Sequence, residues 1–480
     1  MLYGLNCYVM IRIFRRRYRE AARQREEMRR RHPPEELLAR TDLPPVTTQI
    51  PVYNEFNVVE RIMRAVCAMA YPAGLHEIQI LDDSTDETRD EIDRVAEDLQ
   101  QMGHDIRVIR RPDRVGFKAG ALANGLKTAK GQFVALFDAD FVPPQDYWLH
   151  TIPYFLEDPK LGLVQARWGH INRKSSLLTR TQGIGIDGHF VVEQGGRTWN
   201  RLFMNFNGTA GVWRRAAIDE AGGWQHDTLT EDMDLSYRVQ LAGWTTQYLL
   251  DVVVPAEIPE DMRAFKNQQF RWAKGSIQTA KKMLPAVLRS DASWFKKMQA
   301  AVHLTQYMVH PLMLLLAVGS LPILLLNNLT FSPLLFSIFA VAIVLAMAGP
   351  NVLYILSQNA LHRDWPRRLI YLPALVVIGV GLAFNNSRAV FEALIGRESG
   401  FIRTPKRGDR ETKRYRVNLP WPAMVELSLG LYCAVTFTLY VLHDKVLAGQ
   451  FIAIYSAGFL FAGLTTLIPR LPQRRRVPNV

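Results

Sequence analysis

The sequence predicts an α/β domain followed by an α-helical transmembrane domain, and three observations carry that expectation. Between residues 45 and 275, short β-rich runs alternate with helical patterns, which indicates a parallel, doubly wound sheet. Two of those runs end in acidic clusters, "ILDD" and "FDAD", at the carboxyl edge where such sheets bind ligands. From His303 onward, long uncharged runs appear, such as "PLLFSIFAVAIVLAMAGP". The mean hydropathy of -0.04 averages two unlike halves.

The elements follow in order. Residues 1–44 form a basic leader and linker. Its apolar start, "MLYGLNCYVMIRIF", is shorter than the roughly 20 residues a bilayer crossing needs. It also lacks the layout of a signal peptide. It reads as an interfacial anchor or as the C-terminal end of a span. "HPPEELLARTDLPP" is a linker rich in proline and acids. "VTTQIPVY" is the first strand and "NVVERIMRAVCAM" an amphipathic helix, with Asn57 and Glu60 as a cap pair. "EIQILDD" and "DIRVIRR" are strands on either side of the charged helix "DETRDEIDRVAEDLQQM". "FKAGALANGLKTA" is a helix and "QFVALFDAD" a buried strand.

Residues 276–302, rich in Lys, Leu, Trp and Phe, read as amphipathic helices lying on a membrane. Two hairpins of spanning length follow, over 303–356 and 424–469. Between them, 357–423 holds "LIYLPALVVIGVGLAFNN", whose close basic flanks favour an interfacial or re-entrant helix over a crossing, and then a basic loop. Residues 470–480 are a basic tail.

The net charge of +13 lies largely in three blocks, each beside an apolar segment. Lys and Arg collect there on the cytoplasmic side of a bilayer, so membrane contact explains the charge and nucleic acid does not. The three cysteines, Cys7, Cys67 and Cys433, have no paired spacing, which argues against a disulfide framework or a thiolate metal site.

Several short motifs carry chemistry. In "FDADF", Asp138 and Asp140 follow a buried strand, and two such carboxylates suit Mg²⁺ or Mn²⁺ with phosphate oxygens as further ligands. Solvated turn aspartates would look the same. "LDDST" puts Asp82 and Asp83 at a strand end, where a carboxylate meets a nucleotide or caps a helix. "RVGFKAGAL" offers Lys118 beside glycines at a helix start, a setting for phosphate. "LTEDMDL" carries Glu231, Asp232 and Asp234 at a helix N-terminus, for capping or for catalysis. Upstream, "FNFNGTAGVWRR" places Asn207 and small residues between aromatics, as suits close approach of a sugar. In "QQFRW", Gln268, Arg271 and Trp272 share one helical face. Arg can pair with a diphosphate, and Trp can stack on a sugar. No GxGxxG follows a strand, which disfavours a nicotinamide enzyme.

The order "DDS", "DAD", "TED", "QQFRW" and then membrane spans resembles the processive family 2 glycosyltransferases: cellulose, hyaluronan and mannan synthases. "QIPVYNE", "QILDDSTDET", "VGFKAGAL", "LVQARW", "FNGTAGVWR", "AGGW", "TEDMDL" and "FIRTPK" resemble the cellulose synthase-like A type, the mannan and glucomannan synthases, over roughly residues 45–410. The resemblance implies a GT-A fold, a Rossmann-like nucleotide-sugar-binding domain, and inverting transfer from a nucleotide sugar. It implies Glu55, Asp82, Asp83, Lys118, Asp138, Asp140 and Arg271 at the donor, with Asp138 and Asp140 holding Mg²⁺ or Mn²⁺. Asp232 is then the general base beside Glu231. Asn207, Gly208, Gln268 and Trp272 line the acceptor, and "FIRTPK" is a loop over the loaded site.

The expected partners are a nucleotide-sugar donor, a growing glycan and the lipid bilayer, with no nucleic acid. The expected place is a plasma (inner) membrane with the catalytic domain in the cytosol. GDP-mannose and UDP-glucose are the candidate donors. A non-processive transferase adding one sugar to a lipid or lipid-linked acceptor is the alternative, and an inactive sugar-binding scaffold is disfavoured because every motif acid is present.

Overall fold

The structure, a computed structural model, describes residues 1–326, 332–397 and 421–467. The segment "NNLT", the "FIRTPK" loop and the basic tail lie outside the described residues. Two helices lead the chain, α1 (Leu2–Arg31) and the short α2 (Pro34–Ala39), the latter within the stretch expected as linker. Strands β1 (Val46–Val52), β2 (His76–Asp82), β3 (Asp105–Ile109) and β4 (Phe133–Leu136) then alternate with α3 (Val59–Cys67), α4 (Thr88–Gln101) and α5 (Phe117–Leu126). Val58 is the N-cap of α3, with no side-chain cap bond of its own. β1, β2 and β4 are buried along almost their whole length, as near-continuous apolar runs such as "FVAL" require between two helical layers.

After α6 (Tyr147–Glu157) comes β5 (Leu161–His170), and then an excursion through α7 (Leu177–Gly188), a π-helical turn at His189–Gln194 and α8 (Gly195–Trp199). The chain returns on β6 (Gly211–Arg214), passes α9 (Arg215–Glu220) and α10 (Glu231–Leu241), and completes the sheet with β7 (Thr245–Ala256). The seven strands run in the order β3-β2-β1-β4-β6-β5-β7. β6 is antiparallel to both β4 and β5, so the sheet is mixed and the all-parallel expectation is corrected. The reason is topological. The excursion after β5 never crosses back to the amino edge, so β6 enters from the carboxyl edge and runs downward. That entry delivers Asn207 and Gly208 to the edge where β1, β2 and β4 end. This arrangement is the GT-A fold, with a core on each face, around Ile50, Ile62 and Trp148 on one and Leu122, Trp213 and Leu235 on the other.

The apolar half follows: α11 (Met262–Arg289), α12 (Trp294–Leu304), α13 (Val309–Leu325), α14 (Pro333–Leu361), α15 (Trp365–Arg368), α16 (Leu372–Gly381), α17 (Ala383–Leu394), α18 (Trp421–Leu442) and α19 (Val446–Leu467). Among the described residues, four segments are long and apolar enough to cross a membrane: Gln306–Leu325, Val341–Leu361, Trp421–Leu442 and Val446–Leu467. Trp365–Gly381 and Ala383–Leu394 meet at a 41° bend, as a broken span or a re-entrant loop does. These four or five helices suit an integral membrane protein.

The apolar N-terminus proves to be the first part of a 30-residue helix. It packs on α14 through a glycine crossing: a Cβ on Gly4 would lie 2.0 Å from the Ala346 carbonyl oxygen, and one on Gly349 would lie 2.1 Å from that of Gly4. Such backbone contact is how small residues join apolar helices. Farther along, Arg25 and Arg29 pair with Asp251 at 2.8 and 2.5 Å, so part of the leader's charge fastens α1 to the sheet domain.

Candidate active site

The carboxyl edge is stitched before any ligand arrives. Beyond β1, Asn54 takes the left-handed conformation (φ 55°) that asparagine tolerates, and its side-chain oxygen accepts from the Thr85 amide at 2.8 Å. Glu55 sits in the same loop, half-buried. Asp82 has a fully buried side chain whose oxygens accept from Arg110 Nε (2.7 Å) and the Ser84 amide (2.9 Å). Asp83 receives a two-pronged pair of bonds from Arg111, at 2.7 and 2.6 Å. Next to it the Arg114 guanidinium lies 3.3 Å above the Tyr53 ring. Motif reading missed this flat platform, although "VYNE" and "RPDRVGFK" contain both residues.

At the end of β4 a turn, closed by the Phe141 amide on the Asp138 carbonyl, carries Asp138 and Asp140. Lys118 enters from the first turn of α5, which starts at Gly116 with φ 72°. Its Nζ donates to Asp138 Oδ1 at 2.5 Å and to the Gly208 carbonyl at 2.8 Å. The Thr209 hydroxyl accepts from the Asp138 amide at 2.9 Å, tying β4 to the descending loop. Asp138 keeps 38% of its side chain exposed, whereas Asp140 is buried.

Glu231 and Asp232 open α10 against this group. Gly208 (φ 79°) is the residue that permits it, because a Cβ there would lie 2.9 Å from Asp232 Oδ2. Burial, and then the neighbouring Glu231 charge, push the Asp232 carboxyl up to about 7. Burial also raises Glu231, against the pull of Lys118. Arg271 faces Glu231, Asp138 and Asp232 from α11, and their charges oppose the downward effect of burial on its guanidinium. Gln268 and Trp272 flank it, half-buried. The seam between α10 and α11 is close because Gly275 has no side chain: a Cβ would meet Thr230 Cγ2 at 2.5 Å. Gln278 and Thr279 complete the seam on the Leu229 amide (2.9 Å) and the Thr230 hydroxyl (3.1 Å). Asp234, by contrast, is buried against Arg238 and Lys282, a structural post.

Asn207 is fully engaged within the protein. Its amide donates to Gln165 Oε1 at 3.0 Å, its Oδ1 accepts from Gln194, and its Nδ2 lies 2.9 Å from His189 Nε2. Sequence reasoning missed Gln165, His189 and Gln194, which no motif spacing links to Asn207.

The carboxylates of Asp138, Glu231 and Asp232 thus gather around two cations, Lys118 and Arg271, and the buried Asp140 follows Asp138 in the same turn. This surplus of negative charge, with Asp138 still accessible, fits a divalent cation. Among the described residues, no group of three or more His, Cys, Asp or Glu side chains is placed to hold one alone. A cation here therefore suits the Mg²⁺-type pattern, in which one or two carboxylates share it with phosphate oxygens.

A family model described as "Glycosyltransferase like family 2" matches residues 44–275. Probable glucomannan 4-beta-mannosyltransferase 11 of Arabidopsis thaliana is 32% identical over 452 residues, covering 89% of this chain and 98% of that protein. Glucomannan 4-beta-mannosyltransferase 2 of the same species is 42% identical over 267 residues, covering 55% of this chain and 50% of that protein. Glucomannan 4-beta-mannosyltransferase 1 of Cyamopsis tetragonoloba is 44% identical over 249 residues, covering 51% and 47%. Against these last two, the chain spans about half the length of the relatives it matches. Matched in its sheet domain and, with the first relative, along most of its length, the chain belongs to glycosyltransferase family 2.

Proposed function

We propose that the chain is a membrane-embedded, inverting and processive β-glycosyltransferase that polymerises hexose from a nucleotide sugar into a β-glycan such as mannan or glucomannan. Relatives named glucomannan mannosyltransferases favour GDP-mannose over UDP-glucose as donor. The observation that carries the reading is Asp232: a carboxyl poised near neutrality, against Gly208, with Lys118 and Arg271 within electrostatic reach.

In this reading Asp232 takes the proton of the acceptor hydroxyl as its oxygen attacks the anomeric carbon from the face opposite the diphosphate. A base with its pKa near the working pH serves that step best. Lys118 and Arg271 hold the departing diphosphate, and charges fixed in advance are the effective way to stabilise it. A bound Mg²⁺ or Mn²⁺, held by Asp138 and Asp140, supplies Lewis-acid neutralisation of the same diphosphate. Asp83 and the Arg114–Tyr53 platform meet the nucleoside, with Glu55 beside them and Asp82 holding the loop from below. Gln268 and Trp272 line the acceptor.

Residues 45–275 form the cytosolic catalytic domain, and the helices beyond it carry the product through a plasma (inner) membrane. The basic loop beyond Arg388 supports that orientation.

The test is glycan synthesis by the purified, detergent-solubilised chain with Mg²⁺ or Mn²⁺, given radiolabelled GDP-mannose and UDP-glucose separately. High-molecular-weight product from GDP-mannose is expected, lost on chelation and reduced about 10²–10⁴-fold in Asp232→Asn. Short or lipid-extractable product alone would replace this reading with single-sugar transfer.

A further inference from the structure

Where α7 ends, the helix widens into the π turn His189–Gln194. Such turns insert a residue into a helix and recur at functional sites. Here the turn sets His189 and Glu193 side by side, with His189 Nδ1 2.8 Å from Glu193 Oε2. The protons can be assigned from the neighbours. Gln194 donates to Asn207 Oδ1, so the Asn207 nitrogen faces His189 Nε2, which must accept. The imidazole proton therefore sits on Nδ1 and is donated to Glu193.

This leaves Glu193 with one committed oxygen. Its Oε1 has no hydrogen-bond partner among the described residues, and 26% of the side chain is exposed. Protein nevertheless surrounds the group, and burial pushes its carboxyl up. His189, and then Arg197, outweigh the push and keep it below the usual range. Glu193 lies within electrostatic reach of Cys7, Tyr307 and Tyr354. These belong to α1, to the turn before α13 and to α14, and the Tyr354 ring lies so close that a Cβ on Gly188 would meet it at 2.7 Å. Behind the pair, the buried oxygens Gln194 Oε1 and Asn205 Oδ1 lack partners among the described residues. A chain of contacts thus links Asp232 through Gly208, Asn207 and His189 to Glu193, which neighbours Cys7 on α1 and Tyr354 on α14. A pair that merely clasped the π turn would not need an accessible free oxygen.

We propose that Glu193, oriented by His189, is a carbohydrate-binding residue whose free oxygen accepts hydrogen bonds from hydroxyls of an acceptor-glycan sugar already past the transferring end. The assignment rests on the proposed polymerising function and adds a subsite to it. A carboxylate suits adjacent sugar hydroxyls, since each of its oxygens accepts and bonds to a charged acceptor are the stronger kind.

The experiment has a binding arm and a turnover arm, both on the detergent-solubilised full chain. Calorimetric titration with β-1,4-linked manno-oligosaccharides of two to six units is run on wild type, Glu193→Ala and Glu193→Gln. Wild-type affinity is expected to rise with length, and Glu193→Ala to lose about tenfold on the long oligosaccharides with little change on the disaccharide. Glu193→Gln, which keeps the shape, is expected to lose less. In the turnover arm, KM for long primers rises by the same factor while donor KM holds, and an unshifted melting temperature marks the variants as folded. Identical length profiles in wild type and Glu193→Ala would overturn the proposal, as would failure of wild type to bind any oligosaccharide. Binding that depends on Glu193 without transfer from either donor would uphold the subsite and sink the polymerase reading instead.

Discussion

Asp232 owes its chemistry to what surrounds it. A carboxyl raised to about 7 is mostly protonated below that pH and becomes, above it, the base that the proposed transfer requires. The expected kcat/KM profile therefore rises with pH through about 7 and then levels. Because the Glu231 charge is the second cause of the shift, Glu231→Gln should move this limb to lower pH, whereas a limb that stays in place would remove Asp232 as its source. Gly208→Ala makes a sharper test: it puts a methyl 2.9 Å from Asp232 Oδ2 at φ 79°. We expect kcat to fall at least tenfold, with about 1 kcal/mol or more of stability lost to the backbone strain. The motif residues were legible because sequence neighbours at strand and helix ends share an edge. Their partners were not: Arg110 and Arg111 reach Asp82 and Asp83 from 28 residues away, and the His189–Asn207 link is a contact through space.

At the scale of elements, β1 to β4 and the helices between them follow the sequence periodicity, which sees apolar runs well. β6 escaped because four residues are too few for a period, and no side-chain pattern gives a strand its direction. The π turn escaped for a related reason, since one inserted residue leaves a helical pattern almost unchanged. The "QQFRW" motif and the amphipathic stretch after it were read separately, yet they form one 28-residue helix, α11. That continuity matters, because the seam at Gly275 sets where Arg271 meets Glu231. Gly275→Ala would drive a methyl to 2.5 Å from Thr230 and push α10 and α11 apart. Overpacking of this kind costs about 1–3 kcal/mol, and the variant should lose activity beyond what its melting temperature explains. Full activity in that variant would show that the seam does not position the site.

Across the whole molecule, buried ion pairs fasten α11, which carries Arg271, to the apolar helices beyond it. Lys266 on α11 meets Glu426 on α18 at 2.6 Å, and Lys274 meets Glu392 on α17 at 2.9 Å. Removing one partner leaves a buried charge uncompensated, so Lys266→Met should cost about 3–5 kcal/mol in detergent melting, and adding Glu426→Gln should restore most of it. The division into a sheet domain and apolar helices was plain from composition, and basic blocks beside apolar runs explained the net charge. The fate of α1 was not plain, because its glycine crossing with α14 is a contact through space that a short apolar run does not reveal. On the proposed reading, in which glycan made at the carboxyl edge is held by Trp272 and passed along Glu193 toward these helices, the product should stay bound between additions. The direct measurement is a pulse of radiolabelled GDP-mannose followed by excess unlabelled donor, with product length read at low conversion. Labelled chains that keep growing while most acceptors remain unextended are the predicted result, and label spread evenly over short products would contradict it.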